Sequence, residues 1–349
     1  MQSLTLPHKT STRDRQVLLA LSGWEKNLFF QEQKGRLAGA EIGSITGEEL
    51  AGGAWNRGRL EALRPEILVT GWTTPPLPKG WVAAPDFSVR YVCHVAGTVR
   101  RIVPREFLER GGVVTNWGDS AAPFVAEHAL LLALASLRNL PAWETGIEAA
   151  RALETHVVEH VSTRTLYGCR VGLHGFGRIA RALLKLLRPF DVKPYVFSQG
   201  VPPSFVLEHG ATPCVSLKEL FAKSEVLFEC EALTPQTKES VTGGVLAALP
   251  DNAVFVNVGR GAVVDEAALL AEARSGRVRV AVDVLANEPA PPDSEFRRFK
   301  NIIFSPHIAG PTRDHCGKCG GLAWKNLRAF LGGGALENLV SLEEYDRST

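Results

Sequence analysis

Val171-Gly172-Leu173-His174-Gly175-Phe176-Gly177-Arg178-Ile179-Ala180 decides the fold. The run up to His174 reads as a strand, and Arg181-Ala182-Leu183-Leu184-Lys185 continues with strong helix formers. Between them stands G-x-G-x-x-A. In that setting Gly175 permits the tight turn and Gly177 lets a pyrophosphate approach the backbone. Ala180 keeps helix and sheet close, and the helix N-terminus faces the phosphates. The strand–turn–helix context implies a dinucleotide site; a purely structural glycine turn is the competing reading.

Apolar runs alternate with helix-like stretches on both sides of this segment. Downstream lie strand candidates at 193–197, 225–230, 254–258, 278–284 and 302–305. Upstream lie 17–22, 67–70, 89–95 and 113–115, then a long apolar helix over about 121–140. Strands separated by helices imply βαβ units, and near-continuous apolar strands suit parallel sheets covered on both faces. Because the dinucleotide turn begins in mid-chain, the first domain either stands alone or is completed by the C-terminus. The helix-like tail at 312–331 is short and is expected to pack back on that domain. The fold class expected is α/β: two Rossmann-like or flavodoxin-like domains with parallel sheets, the nucleotide-binding domain inserted into the other. The expected division is 121–308 for the dinucleotide domain, and 1–120 with 309–349 for the substrate domain.

A chain of 349 residues is long for one core, so two domains also follow from size. Hydrophobic content of 45% with 22% charged residues is ordinary for a globular protein. A net charge of +2 gives no electrostatic case for nucleic acid or a membrane surface. No continuous apolar run reaches the roughly 18 residues of a membrane span. Residues 1–15 are polar, lack the apolar centre of an export signal and read as a loose extension. Six widely spaced cysteines do not resemble a disulfide framework and fit a reducing cytoplasm.

Three residues far apart in sequence sit where strands end. Arg260 follows Ala253-Val254-Phe255-Val256, Glu288 follows the run at 278–284, and His307 follows Ile302-Ile303-Phe304-Ser305-Pro306. The carboxyl edge of a parallel sheet is where ligands bind. A guanidinium holds a carboxylate through two parallel hydrogen bonds. A His beside a carboxylate exchanges protons near neutral pH. Together they suit a small carboxylic acid. Plainer readings stand beside each: an ion pair of Arg260 with Asp265 or Glu266, a satisfied core His307, a solvated loop acid at Glu288.

At these residues the chain resembles the D-isomer-specific 2-hydroxyacid dehydrogenase family. The segments that carry the likeness are Gly175 to Ala180, Leu233-Thr234-Pro235-Gln236-Thr237, Asn257 to Glu266, Asp283-Val284 with Glu288-Pro289, and Ser305-Pro306-His307-Ile308-Ala309-Gly310. The resemblance implies Arg260 as substrate anchor, His307 as acid/base and Glu288 as its partner. It implies Asp283 near the nicotinamide amide, Gly175, Gly177, Arg178 and Ile179 at the pyrophosphate, and Glu231, Ala232, Thr237, Val258 and Gly259 lining the cofactor. Backbone amides of Ala96-Gly97-Thr98 would complete the carboxylate site. The implied activity is hydride transfer between NAD or NADP and C2 of a small 2-oxo or 2-hydroxy acid, without metal. The implied assembly is a homodimer through the nucleotide-binding domains. A nucleotide-sensing regulator of the same fold is the alternative. Formate dehydrogenase, which pairs its His with Gln, is disfavoured by Glu288.

Departures from the family pattern matter too. Ser198 stands at the end of the second nucleotide strand, where most of the family has the Asp that holds the adenosine ribose. That change removes a charge repelling a 2′-phosphate, and no Arg follows directly, so weak cofactor selectivity is expected. Cys230 replaces a His, and Arg100-Arg101 replaces an Asp-Asn pair; solvated arginines are the stronger reading of the latter. His156-Val157-Val158-Glu159-His160 matches an inverted zinc-protease string without a third ligand, and reads as a polar helix face. Cys316-Gly317-Lys318-Cys319 reads as helix cysteines, with Gly317, Gly320 and Gly321 suggesting close backbone packing. Trp72 and Trp81 are either walls of the substrate mouth or core residues.

Overall fold

The computed structural model describes residues 15–31, 37, 40–45 and 55–347. The expected N-terminal extension lies outside the described residues except for Arg15, which opens the first strand. The chain forms two compact units. One comprises the described residues up to Ala121 together with those from Thr312 onward; the other is Ala122–Pro311.

The first unit is a five-stranded parallel sheet of β1 (Arg15–Ala20), β2 (Ala40–Ser44), β3 (Ile67–Thr70), β4 (Tyr91–His94) and β5 (Val113–Thr115). Its order is β2-β1-β3-β4-β5, the flavodoxin-like winding. Alternation along each strand divides the apolar side chains between two faces. Leu18, Leu68 and Val92 enter one cluster, whereas Val17, Ile67, Val69, Tyr91 and Cys93 enter the other. The second face is covered by the C-terminal helix Cys316–Gly332, which contributes Cys316, Cys319, Ala323, Trp324, Leu327 and Phe330. Gly320 is where that helix meets Gly23–Phe30: a Cβ there would lie 1.7 Å from the Phe29 carbonyl oxygen. Gly320 therefore serves close helix packing. Both thiols are buried, and burial pushes them up, Cys316 to about 11, which disfavours the thiolate that redox or metal chemistry needs.

The second unit is a seven-stranded parallel sheet: β6 (Arg170–His174), β7 (Lys193–Phe197), β8 (Thr212–Pro213), β9 (Val226–Glu229), β10 (Val254–Asn257), β11 (Arg279–Val282) and β12 (Ile302–Phe304). The order β12-β11-β10-β9-β6-β7-β8 reverses direction between β9 and β6. That is the doubly wound arrangement, with its ligand crevice at the carboxyl ends beside the reversal. Both faces are covered, as the apolar strands require. Val171, Leu173, Val226, Phe228, Val254 and Val256 pack with the helices Ala122–Leu137 and Arg178–Leu187; Leu227, Phe255, Val280 and Val282 pack on the opposite face.

By length and composition Gly118–Leu137 is apolar enough to cross a membrane. Here its helical part fills the unit's core, with Ala126, Ala129, Ala133 and Leu137 fully buried. Arg279 holds the end of this helix by donating to the carbonyl oxygens of Ser136 and Leu137 at 2.8 and 3.3 Å.

Candidate active site

The nucleotide turn has the geometry its glycines suggest. Gly175 adopts φ +84°, and a Cβ there would meet the Glu231 backbone at 2.7 Å. Gly177 precedes the helix Arg178–Leu187 without any side-chain cap, and a Cβ on it would meet nothing within 4 Å. Gly177 and Arg178 are exposed, Ile179 is partly buried and Ala180 is buried. The turn is thus an open cradle at an uncapped helix N-terminus, the environment that holds a pyrophosphate. Beyond β9, Thr237 Oγ1 donates to the Ala232 carbonyl at 2.6 Å and accepts from Thr234 N–H at 2.7 Å, which closes the loop 232–237. Val258 is buried, and Gly259 brings its backbone so near β9's end that a Cβ would lie 3.0 Å from the Glu231 carbonyl oxygen.

Arg260, Glu288 and His307 all belong to the second unit. Asn257 shapes the arginine segment, accepting from Gly259 N–H at 3.0 Å and donating to the Arg260 carbonyl at 3.3 Å. Gly261 lets that segment dock on the acid loop: a Cβ would lie 1.9 Å from the Leu285 carbonyl carbon. Arg260 Nη1 donates to the Gly259 carbonyl at 2.7 Å. Burial lowers the Arg260 pKa, and the charge of Glu288 opposes that shift. The two carboxylates that follow Arg260 in sequence each accept a backbone amide. Asp265 caps the helix Glu266–Arg274 through Ala268 N–H, and Glu266 accepts from Ala286 N–H.

His307 Nδ1 donates to Glu288 Oε2 at 2.5 Å, and Glu288 Oε1 accepts from Leu285 N–H at 2.8 Å. Burial tends to raise the Glu288 carboxyl, but the His307 ring and the Leu285 amide outweigh it and hold it below its ordinary value. The hydrogen bond to Glu288 in turn raises His307 above its ordinary value, against the opposing effect of burial. His307 has φ +55° and its side chain is 53% exposed, so the ring edge that Glu288 does not hold is open to a ligand.

Asp283 builds the His307 loop. Its carboxylate is buried and accepts from Ile308 N–H, Ala309 N–H and Ser305 Oγ at 2.9, 3.0 and 2.5 Å. Burial opposes that charge, yet these donors and His128 lower its pKa. His128 Nε2 stands 2.9 Å from Ser305 Oγ, so a helix residue supports the loop from beneath. Sequence reading did not single out His128 or Ser305; a polar His amid Ala126 and Ala129 was the signal at hand. Nor did it anticipate the pair His174–Glu229, 2.5 Å apart and buried at the ends of adjacent strands.

In the first unit, Ala96, Gly97 and Thr98 follow β4. Trp117 N–H donates to the Ala96 carbonyl at 3.1 Å, Asn116 Nδ2 to the Gly97 carbonyl at 2.7 Å, and the Trp117 indole leaves no room for a Cβ on Gly97. Thr98 Oγ1 is buried and has no hydrogen-bond partner among the described residues. Trp72 is exposed and stacks on Trp24 with ring centroids 5.8 Å apart, while Trp81 is a core residue. Arg100 and Arg101 are exposed, and Arg100 lies over the Tyr345 ring. His160 Nε2 bonds to Thr155 Oγ1 at 2.7 Å, and Val157–Glu159 is a single 3-10 turn instead of the helix face the string suggested.

Comparison with known proteins agrees with this geometry. The profile of the D-isomer specific 2-hydroxyacid dehydrogenase NAD binding domain matches residues 130–309, over half of the chain. A glyoxylate reductase of Thermococcus litoralis is 30% identical over 240 residues, 68% of this chain and 72% of its own length. A D-3-phosphoglycerate dehydrogenase of Methanocaldococcus jannaschii is 27% identical over 237 residues, 67% of this chain but 44% of its own; the chain thus spans less than half the length of that relative. Among solved structures, a 2-hydroxyacid dehydrogenase from Ketogulonicigenium vulgare superposes with a TM-score of 0.76 at 25% identity, covering 95% of this chain and 99% of the other. The cradle at Gly175–Gly177, the His307–Glu288 pair and the profile spanning both have one explanation: the chain belongs to the D-isomer specific 2-hydroxyacid dehydrogenase family.

Proposed function

We propose that this protein is an NAD(P)-dependent D-2-hydroxyacid dehydrogenase that interconverts a small 2-oxo acid and its 2-hydroxy acid. The observation that carries the reading is the His307–Glu288 hydrogen bond of 2.5 Å in the unit that also presents Arg260 and an open phosphate cradle. When bound, a nicotinamide cofactor supplies or accepts the hydride at C2. Gly175, Gly177, Arg178 and Ile179 hold its pyrophosphate, and Glu231, Ala232, Thr237, Val258 and Gly259 line it. Arg260 binds the substrate carboxylate, and Ala96, Gly97 and Thr98 are the candidate carboxylate-binding residues of the first unit.

The proton step belongs to His307. With its Nδ1–H held by Glu288, the ring presents Nε2–H to the substrate's 2-oxygen and protonates it as negative charge develops there. In the oxidative direction the neutral ring accepts that proton. Such acid–base help is worth about 10²- to 10⁴-fold. Asp283 acts through the loop, fixing the backbone from which His307 projects.

Exposed apolar side chains at Leu131, Leu140, Trp143, Ile147 and Leu153 support a homodimer through the nucleotide-binding unit. All six cysteines are free thiols, which supports a reducing cytoplasm. The test is a panel of 2-oxo acids run separately with NADH and NADPH, following absorbance of the reduced nicotinamide. Turnover of at least one acid is expected. Tight nucleotide binding without turnover across the panel would favour a nucleotide-sensing regulator instead.

A further inference from the structure

Weak cofactor selectivity was expected because Ser198 ends β7 without a carboxylate. In the structure a carboxylate is present there, supplied from the loop after β9. Ser198 Oγ donates to Glu231 Oε2 at 3.3 Å, and Ala232 N–H donates to Glu231 Oε1 at 2.9 Å. Since β7 and β9 flank β6, this contact passes beside the end of β6, where Gly175 makes the nucleotide turn. The 2.7 Å approach of a Gly175 Cβ to Glu231 Cα shows how directly the acid adjoins the cradle.

A second acid nearby does not share this role. Glu229 is buried against His174 at 2.5 Å, and its other oxygen accepts Glu231 N–H at 2.8 Å. Burial opposes a charged His174, yet the Glu229 carboxylate outweighs it and raises the imidazole above its ordinary value. Glu229 is thus engaged by His174 on one oxygen and fixes the backbone of Glu231 with the other. Among basic groups beside the turn, Arg181 donates Nε–H to the Gly177 carbonyl at 3.3 Å and lies over the Phe205 ring.

We propose that Glu231 is the carboxylate that reads the adenosine ribose, with Ser198 as its positioning residue, and that this chain prefers NADH to NADPH. A carboxylate accepts hydrogen bonds from the ribose hydroxyls, whereas a 2′-phosphate brings like charge against it. The inference rests on the dinucleotide reading of this unit and changes what Ser198 implies. The serine does not empty the site of charge; it holds an acid that approaches from the loop after β9.

The test uses ADP-ribose and 2′-phospho-ADP-ribose, which lack nicotinamide and need no turnover, with binding followed by calorimetry. The unmodified protein should bind ADP-ribose at least about tenfold more tightly than the 2′-phosphate. Glu231→Gln should weaken ADP-ribose by about 10- to 100-fold, the range for lost hydrogen bonds to a charged acceptor, and erase the preference. Ser198→Ala should move the same way but less. Ser198→Asp added to Glu231→Gln should restore the preference, because it returns a carboxylate to the ribose end of the site. Equal or tighter binding of the 2′-phosphate by the unmodified protein overturns the proposal, as does equal weakening of both ligands by Glu231→Gln. Failure of both ligands to bind removes the dinucleotide reading with it, whereas binding without discrimination removes this inference alone.

Discussion

His307 and Glu288 shift each other's titration, and the direction of each shift gives a pH dependence. Protonation of the substrate oxygen needs imidazolium. Reduction should therefore run at full rate below the raised pKa of His307 and fall as pH rises through it. Glu288→Gln should bring that inflection down toward about 6.5, the value of an unperturbed imidazole. The checks are kcat/KM against pH and the titration of the His307 ring protons by NMR; an unmoved inflection would show that Glu288 does not tune the ring. The same shifts bear on stability. The His307 contribution is present below the unfolded imidazole value and lost as pH rises through the folded one. The Glu288 contribution, with its pKa lowered, is lost as pH falls through its folded value. Because the His307 side chain is 53% exposed, solvent screening keeps both contributions small. His307→Gln should lower turnover by at least about 10²-fold while leaving nucleotide binding nearly unchanged. Arg260→Ala should raise the substrate KM strongly, since a bidentate carboxylate anchor is lost; a change confined to thermal stability would return Arg260 to a structural role. Residues at this scale were legible where a strand end displays an Arg, an acid or a His. The Ser198–Glu231 and His174–Glu229 contacts were not. They join residues 33 and 55 positions apart whose pairing depends on strand order, and no local pattern encodes that.

Elements were legible where an apolar run is bounded by polar or turn residues. β3, β5, β6 and β7 lie at the residues their apolar runs indicated, although β7 buries only Val196 fully and exposes Lys193. β4, β9, β10, β11 and β12 are each shorter than their apolar runs, since buried residues such as Val95, Val258 and Val284 lie just past the strand ends. β2 and β8 went unread. Ala40-Glu41-Ile42-Gly43-Ser44 is an edge strand with exposed Glu41 and Ile42, and Thr212-Pro213 carries a proline that only an edge tolerates. The loop after β12 shows how an element holds a candidate catalytic side chain it does not contain. Asp283, just past β11, collects two amides and a hydroxyl from 305–309. Asp283→Asn replaces one acceptor oxygen by an NH₂ group and removes the charge. It should destabilise the second unit by about 1–3 kcal/mol, the range for buried donors left unsatisfied. Turnover should fall while the substrate KM changes little, because His307 is misplaced and Arg260 is not. Wild-type turnover in a destabilised Asp283→Asn variant would separate the loop's stability from its geometry.

At the scale of the molecule, the position of the nucleotide turn in mid-chain was the most legible feature, and it leads to a prediction about independent folding. All seven strands of the second unit, and both apolar clusters that cover its sheet, lie within 122–311. Its first helix is tied at its end by Arg279 from β11, so the fragment carries its own boundary contacts. The first unit is not self-sufficient in the same way. One face of its sheet is covered by Cys316, Cys319, Ala323, Trp324, Leu327 and Phe330, and Val340 and Tyr345 complete the other. At about 1.5–3 kcal/mol for each large apolar side chain left exposed, losing these residues removes on the order of 10 kcal/mol. That is comparable with the whole stability of an ordinary domain, about 5–15 kcal/mol. A fragment of residues 122–311 should therefore unfold cooperatively and bind ADP-ribose with nearly the affinity of the full chain. A chain ending at residue 311 should keep that nucleotide-binding unit but show fast amide hydrogen exchange across β1, β3 and β4. Slow exchange in those strands without the C-terminal helix would mean that 15–121 folds alone; a non-cooperative 122–311 fragment would mean that the inserted unit depends on residues outside itself.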